Sequence, residues 1–150
     1  MWYNMPIKKK SRTLQALFFY RHEQPQSRKA VKDMTKAEVK AKVYEYIKKQ
    51  GGVSYAEIER LFDELGYSWK GVAVCCSSVN RYVVFWEGWH KQAYSIISEL
   101  LQEKKLKRTP APVWLYLLDG KGLDLPQVPD VTDYRSIKRE CWLPCMLSAA

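Results

Sequence analysis

Apolar positions recur at helical spacing in three stretches of this chain. In the first, Val39, Val43, Tyr46 and Ile47 fall at i, i+4, i+7 and i+8, one face of an amphipathic helix. Thr35 and Glu38 form a capping box at its start, and Gly51-Gly52 ends it. Val53 is a one-residue strand candidate. Ser54 and Glu57 form a second capping box ahead of the stripe Ile58, Leu61, Phe62 and Leu65, with Gly66 as the stop. The third stripe, Ala93, Ile96, Ile97, Leu100 and Leu101, predicts a helix over residues 90–104. Its last turn carries Lys104 and Lys105, where cations favour the helix dipole.

Between the second and third helices the pattern changes. Tyr82-Val83-Val84-Phe85-Trp86 is β-branched and aromatic, which predicts a strand. Residues 72–76 pair with it as a hairpin around residues 77–80, and Gly88 breaks it ahead of the third helix. Trp69, Val72, Cys76 and Val79 also fit a helical face, but the strand is preferred. After the third helix, Leu106-Lys107-Arg108-Thr109 predicts a strand and Pro110-Ala111-Pro112 a rigid turn. Residues 113–118 follow as a second strand, stopped by Asp119-Gly120. The expected fold class is therefore α+β. Residues 1–34 read as a basic arm and linker, 35–118 as the domain and 119–150 as a tail. In the tail, Tyr134, Ile137, Trp142 and Leu143 predict packing back on the domain.

The order of elements over residues 35–118 resembles the winged-helix (winged helix-turn-helix) family of DNA-binding domains. The resemblance implies three helices, a small antiparallel sheet and a β-hairpin wing over residues 106–118. It also implies that the third helix lies in the major groove while the wing touches the backbone. About twenty residues, including an apolar strand, stand where that family usually has a short turn between second and third helices.

Charge adds to this picture mainly through its distribution. The chain has 150 residues, long enough to bury a core without staples, and 25 Lys and Arg against 16 acids give a net charge of +9. Residues 1–50 hold 13 basic and 4 acidic side chains, residues 51–100 hold 4 and 6, and residues 101–150 hold 8 and 6. The excess lies in the first third, as in a basic arm facing a polyanion or a solubilising tail.

The candidate nucleic-acid contacts follow from both lines. On a helical wheel Lys91, Ser95, Ser98 and Gln102 stand opposite the third apolar stripe, and such side chains hydrogen-bond base edges and phosphates. Glu99 stands beside them and repels phosphate. Lys105, Lys107 and Arg108, next to Lys104, supply phosphate contacts. Lys8, Lys9, Lys10 and Arg12 supply an arm that reaches a groove. The expected partner is nucleic acid, duplex DNA above all, and the expected role is that of a small regulatory or accessory protein. The alternative is a protein–protein adaptor on the same fold.

Other chemistry has weaker support. Trp69, Trp86, Trp89, Trp114 and Trp142 could stack on unpaired bases, but most flank apolar positions and read as core. Glu57, Glu59, Asp63 and Glu64 read as the solvent face of the second helix, in preference to a nuclease-like cluster with Lys70. Cys75, Cys76, Cys141 and Cys145 contain no CxxC pair and read as buried thiols, in preference to a zinc site with His22 or His90. His90 reads as a helix cap or a surface group. No catalytic spacing is present, so no enzyme activity, metal or cofactor is expected. No apolar run approaches the roughly 20 residues that span a bilayer. Residues 14–20 follow a basic stretch but lack a cleavage site, so the expected compartment is the cytoplasm.

Overall fold

The computed structural model describes residues 2–4 and 33–150. Helix α1 (Lys36–Gln50) begins as its sequence specifies: Thr35 Oγ1 accepts the Glu38 N–H at 3.2 Å, and the Glu38 carboxylate accepts the Thr35 N–H at 2.8 Å. It ends at Gly51, whose φ of 82° lies in the left-handed region. Val39, Val43 and Ile47 are fully buried.

Strand β2 (Val53–Ser54) leads into helix α2 (Tyr55–Glu64). Ser54 Oγ accepts the Glu57 N–H at 3.0 Å. The Glu57 carboxylate accepts from Tyr46 Oη at 2.7 Å, which ties α2 to α1.

Strands β3 (Lys70–Cys76) and β4 (Val83–Trp89) form the antiparallel hairpin expected from their β-branched and aromatic residues. Gly88 does not break the second strand. It lies inside β4 at φ 94°, and the strand runs on to Trp89. His90 then caps helix α3 (Lys91–Gln102), its Nδ1 accepting the Ala93 N–H at 3.0 Å.

Strand β5 (Leu106–Pro110) follows α3, but the expected second arm of its hairpin is a helix, α4 (Val113–Leu118). An apolar run without alternation does not distinguish strand from buried helix. Two features decide here. Pro112, at φ −68°, is the N-cap residue of α4, where its missing N–H removes no intrahelical hydrogen bond. The helix also turns Tyr116 into the core, where its hydroxyl donates to Cys145 O at 2.6 Å and accepts from the Tyr55 N–H at 3.3 Å.

The place beside β5 is taken by β7 (Cys145–Ala149), in antiparallel register from Leu106↔Ala149 to Pro110↔Cys145. The stretch read as a tail thus supplies the central strand of a three-stranded sheet of order β2-β7-β5. A second sheet has the order β1-β3-β4-β6, with β1 (Trp2–Asn4) antiparallel to β3 and β6 (Cys141–Trp142) parallel to β4. The described residues therefore fold as α+β with two sheets.

One apolar core joins the helices and both sheets. Its centre is aromatic. Trp89 stacks on Tyr94 at 4.7 Å and meets Phe62 edge-on at 5.2 Å, while Tyr116 lies 5.2 Å from Trp86 and 5.1 Å from Trp142. Trp69, Trp86, Trp89 and Trp142 are all core residues, whereas Trp114 is exposed. Among the described residues, no helix is long and apolar enough to cross a membrane.

Candidate nucleic-acid interface

Helix α3 buries Ala93, Tyr94, Ile96, Ile97 and Leu100. The wheel leaves Lys91, Ser95, Ser98 and Gln102 on the opposite side. Lys91 and Gln102 are exposed, and the two serines are half-buried. Ser95 Oγ donates to Gln92 O at 2.6 Å, so its hydroxyl is partly committed to the helix backbone.

The acidic edge of α3 is neutralised by α1. Glu99 accepts from Lys36 Nζ at 2.5 Å and from Lys40 Nζ at 3.1 Å. Glu103 pairs with Lys40, and with Lys105 at 3.3 Å. The Lys36 hydrogen bond, with Lys40 behind it, holds the Glu99 carboxyl below the ordinary carboxylate value. Lys40, bonded chiefly to Glu103, holds that carboxyl down as well, and its own ammonium is raised in turn. The repulsion expected between Glu99 and a phosphate is therefore met by lysines the sequence reading had not paired with it.

Around β5 the expected basic group divides. Lys107 is exposed. Lys105 is exposed too, and its Nζ lies 5.7 Å from the Tyr44 ring centroid, which Lys48 also approaches, at 5.9 Å. Arg108 is turned inward. Its guanidinium lies 4.1 Å from the Phe85 ring centroid, and its Nε is buried with no hydrogen-bond partner among the described residues. The cause is the pleat: neighbours in a strand point to opposite faces, so Lys107 and Arg108 do not share one. Lys8, Lys9, Lys10 and Arg12 lie outside the described residues.

A second polar site was misread in the sequence. Glu59 is buried, not part of a solvent face. Its Oε1 accepts from Trp86 Nε1 and Trp89 Nε1, both at 2.8 Å, and its Oε2 pairs with Lys121. Lys121 also lies 5.0 Å from the Trp69 ring centroid. Asp63 accepts from Trp69 Nε1 at 2.8 Å. Three of the four α2 carboxylates are thus held by aromatic N–H or O–H donors. Burial raises the Glu59 carboxyl above its ordinary value, and Lys121 and the two indoles pull against that rise. The available signal was spacing: Glu59 lies four residues after Tyr55 and three before Phe62, both fully buried.

The four cysteines are buried free thiols, and burial pushes Cys75 up to about 11 and Cys145 up to about 12. Among the described residues, no group of three His, Cys, Asp or Glu side chains could hold a metal ion. Compared with known protein families, curated proteins and solved structures, the chain gives no match.

Proposed function

We propose that this chain binds nucleic acid, duplex DNA in the first instance, as a small non-enzymatic regulatory protein on a winged-helix plan. The observation that carries the reading is the order of elements around the β2-β7-β5 sheet. The run is helix α1, strand β2, helix α2, helix α3, strand β5 and strand β7, with β5 and β7 as the two arms of the wing. The β3–β4 hairpin is then an insertion between α2 and α3, and residues 111–144 are an insertion at the wing tip. In this plan α3 is the reading helix, and Lys91, Ser95, Ser98 and Gln102 are its contact stripe. Lys105 and Lys107 serve phosphates, and Arg108 leaves the contact set because it faces Phe85.

Most of the attraction would come from ahead of the domain. Residues 1–32 carry 8 basic and 1 acidic side chains, and residues 33–150 carry 17 and 15. The test is fluorescence anisotropy with random-sequence duplex DNA at two salt concentrations. Binding that weakens steeply with salt supports the reading. No binding at low salt sinks it. The adaptor reading is favoured by one observation, the exposed apolar face of α4, and expects that null result.

A further inference from the structure

Asn80, in the turn between β3 and β4, clasps a distant stretch of chain. Its Nδ2 donates to the carbonyls of Tyr134 at 2.8 Å, Arg135 at 3.3 Å and Ile137 at 2.9 Å, and its Oδ1 accepts the Tyr82 N–H at 3.0 Å. The Cys141 N–H then donates to Tyr82 O at 2.9 Å. Residues 134–141 are thereby fixed along the turn, although the clasped carbonyls lie 54 to 57 residues from Asn80 in sequence. In the proposed plan both partners are insertions, one between α2 and α3 and one at the wing tip.

The clasp gathers arginine. The described residues hold five arginines. Arg60 pairs with Asp119 at 2.8 Å, and Arg108 faces Phe85. The other three, Arg81, Arg135 and Arg139, all lie on these two segments. They are exposed and have no carboxylate partner among the described residues. Lys138 is exposed beside them. The Arg81 guanidinium lies 5.2 Å from the Tyr82 ring centroid, which restricts its rotamers. The neighbouring acids are committed. Asp133 accepts the Arg135 N–H at 3.4 Å, Asp130 accepts the Thr132 N–H at 2.8 Å and its hydroxyl at 2.6 Å, and Glu140 is half-buried and already engaged.

We propose that this junction is a second phosphate-contact patch, which engages duplex DNA flanking the stretch held on α3. The inference rests on the nucleic-acid reading above. A guanidinium meets two phosphate oxygens with a fixed fork of N–H donors, which an ammonium does not. The α3 side carries less free charge: Lys91 and Lys107 are exposed, whereas Lys105 is paired with Glu103. The turn lies at the far end of β4 from α3. A rise of about 3.3 Å per residue from Val83 to Trp89 separates them by about 20 Å, less than the roughly 34 Å of one duplex turn.

The experiment measures fluorescence anisotropy of a random duplex of about 20 base pairs, two helical turns, between about 50 and 200 mM salt. Wild type is compared with Arg81, Arg135 and Arg139 changed together to Gln. A control of equal charge loss changes Lys42, Lys48 and Lys49, exposed on α1, to Gln. The arginine triple is expected to lower the slope of log K against log salt by about 3 and to weaken binding at low salt by about tenfold or more, while the lysine triple leaves the slope unchanged. Lys138→Glu, at a single exposed side chain, weakens binding by about threefold or more on its own. A wild type that binds, with the arginine triple or Lys138→Glu keeping its affinity and slope, overturns the patch and leaves the nucleic-acid reading standing. So does a loss shared equally by the lysine triple, because net charge alone then explains it. A wild type that does not bind at low salt overturns both.

Discussion

Replacing Lys121 by Met tests the buried polar centre of this fold. The methionine keeps the apolar stem beside Trp69 and removes the charge. What remains is a Glu59 carboxylate, 5% exposed, with two indole donors on Oε1 and no cation on Oε2. Removing one partner of a buried pair costs about 3–5 kcal/mol, and a hydrogen bond to a charged group about 1.5–3. Because Lys121 is itself 22% exposed, the lower part of that range applies, about 2–3 kcal/mol at pH 7. For 150 residues this lowers the melting temperature by roughly 6–10 °C.

The pH dependence gives the loss a signature. Burial already raises Glu59, and loss of Lys121 raises it further. A carboxyl raised in the folded state contributes stability that is fully present below its unfolded value and is lost as pH rises through the folded value. The difference between wild type and Lys121→Met is therefore small near pH 4 and grows through neutrality. Adding Glu59→Gln recovers part of the loss at pH 7, because the amide oxygen still accepts from both indoles and no charge is left buried. Urea denaturation of the three chains between pH 4 and 8 is the assay. A loss that does not change with pH, or one under about 0.5 kcal/mol at pH 7, refutes the reasoning.

Three further outcomes follow from named contacts. A Cβ on Gly71 would lie 2.5 Å from the His90 backbone nitrogen, so Gly71→Ala destabilises by about 1–3 kcal/mol. A wild-type denaturation midpoint would contradict the close approach of Gly71 to the His90 backbone. Tyr116→Phe strands the Tyr55 N–H and Cys145 carbonyl and costs about 1–3 kcal/mol, read by thermal melting. Replacing Lys8, Lys9, Lys10 and Arg12 together by Gln lowers the slope of log K against log salt by about 3–4 if all four meet phosphates. An unchanged slope removes the arm from the DNA contact.

Local signals carried the helical half of the fold. The Thr35 and Ser54 caps, the left-handed Gly51 and the three apolar stripes are short-range features, and α1, α2 and α3 follow them closely. The β3–β4 hairpin was legible from its β-branched and aromatic composition. What failed depended on partners far along the chain. Residues 113–118 have strand-like composition, yet Tyr116 is held by Tyr55 and Cys145, 61 and 29 residues away. Strand β7 has no alternation of its own and is defined by pairing with β2 and β5. Glu59 looked like part of a solvated acidic face, because its indole partners come from β4 and its cation from the loop after α4. The inward turn of Arg108 was legible from strand alternation alone, which already separates it from Lys107.

The contact stripe of α3 is tested most directly by titrating the isotope-labelled chain with a short duplex at low salt and following each backbone amide by NMR. The account predicts shifts that cluster on Lys91, Ser95, Ser98 and Gln102 and extend to Lys107, and that fade as salt is raised. The absence of shifts, or shifts confined to α4 and the β3–β4 hairpin, would contradict it.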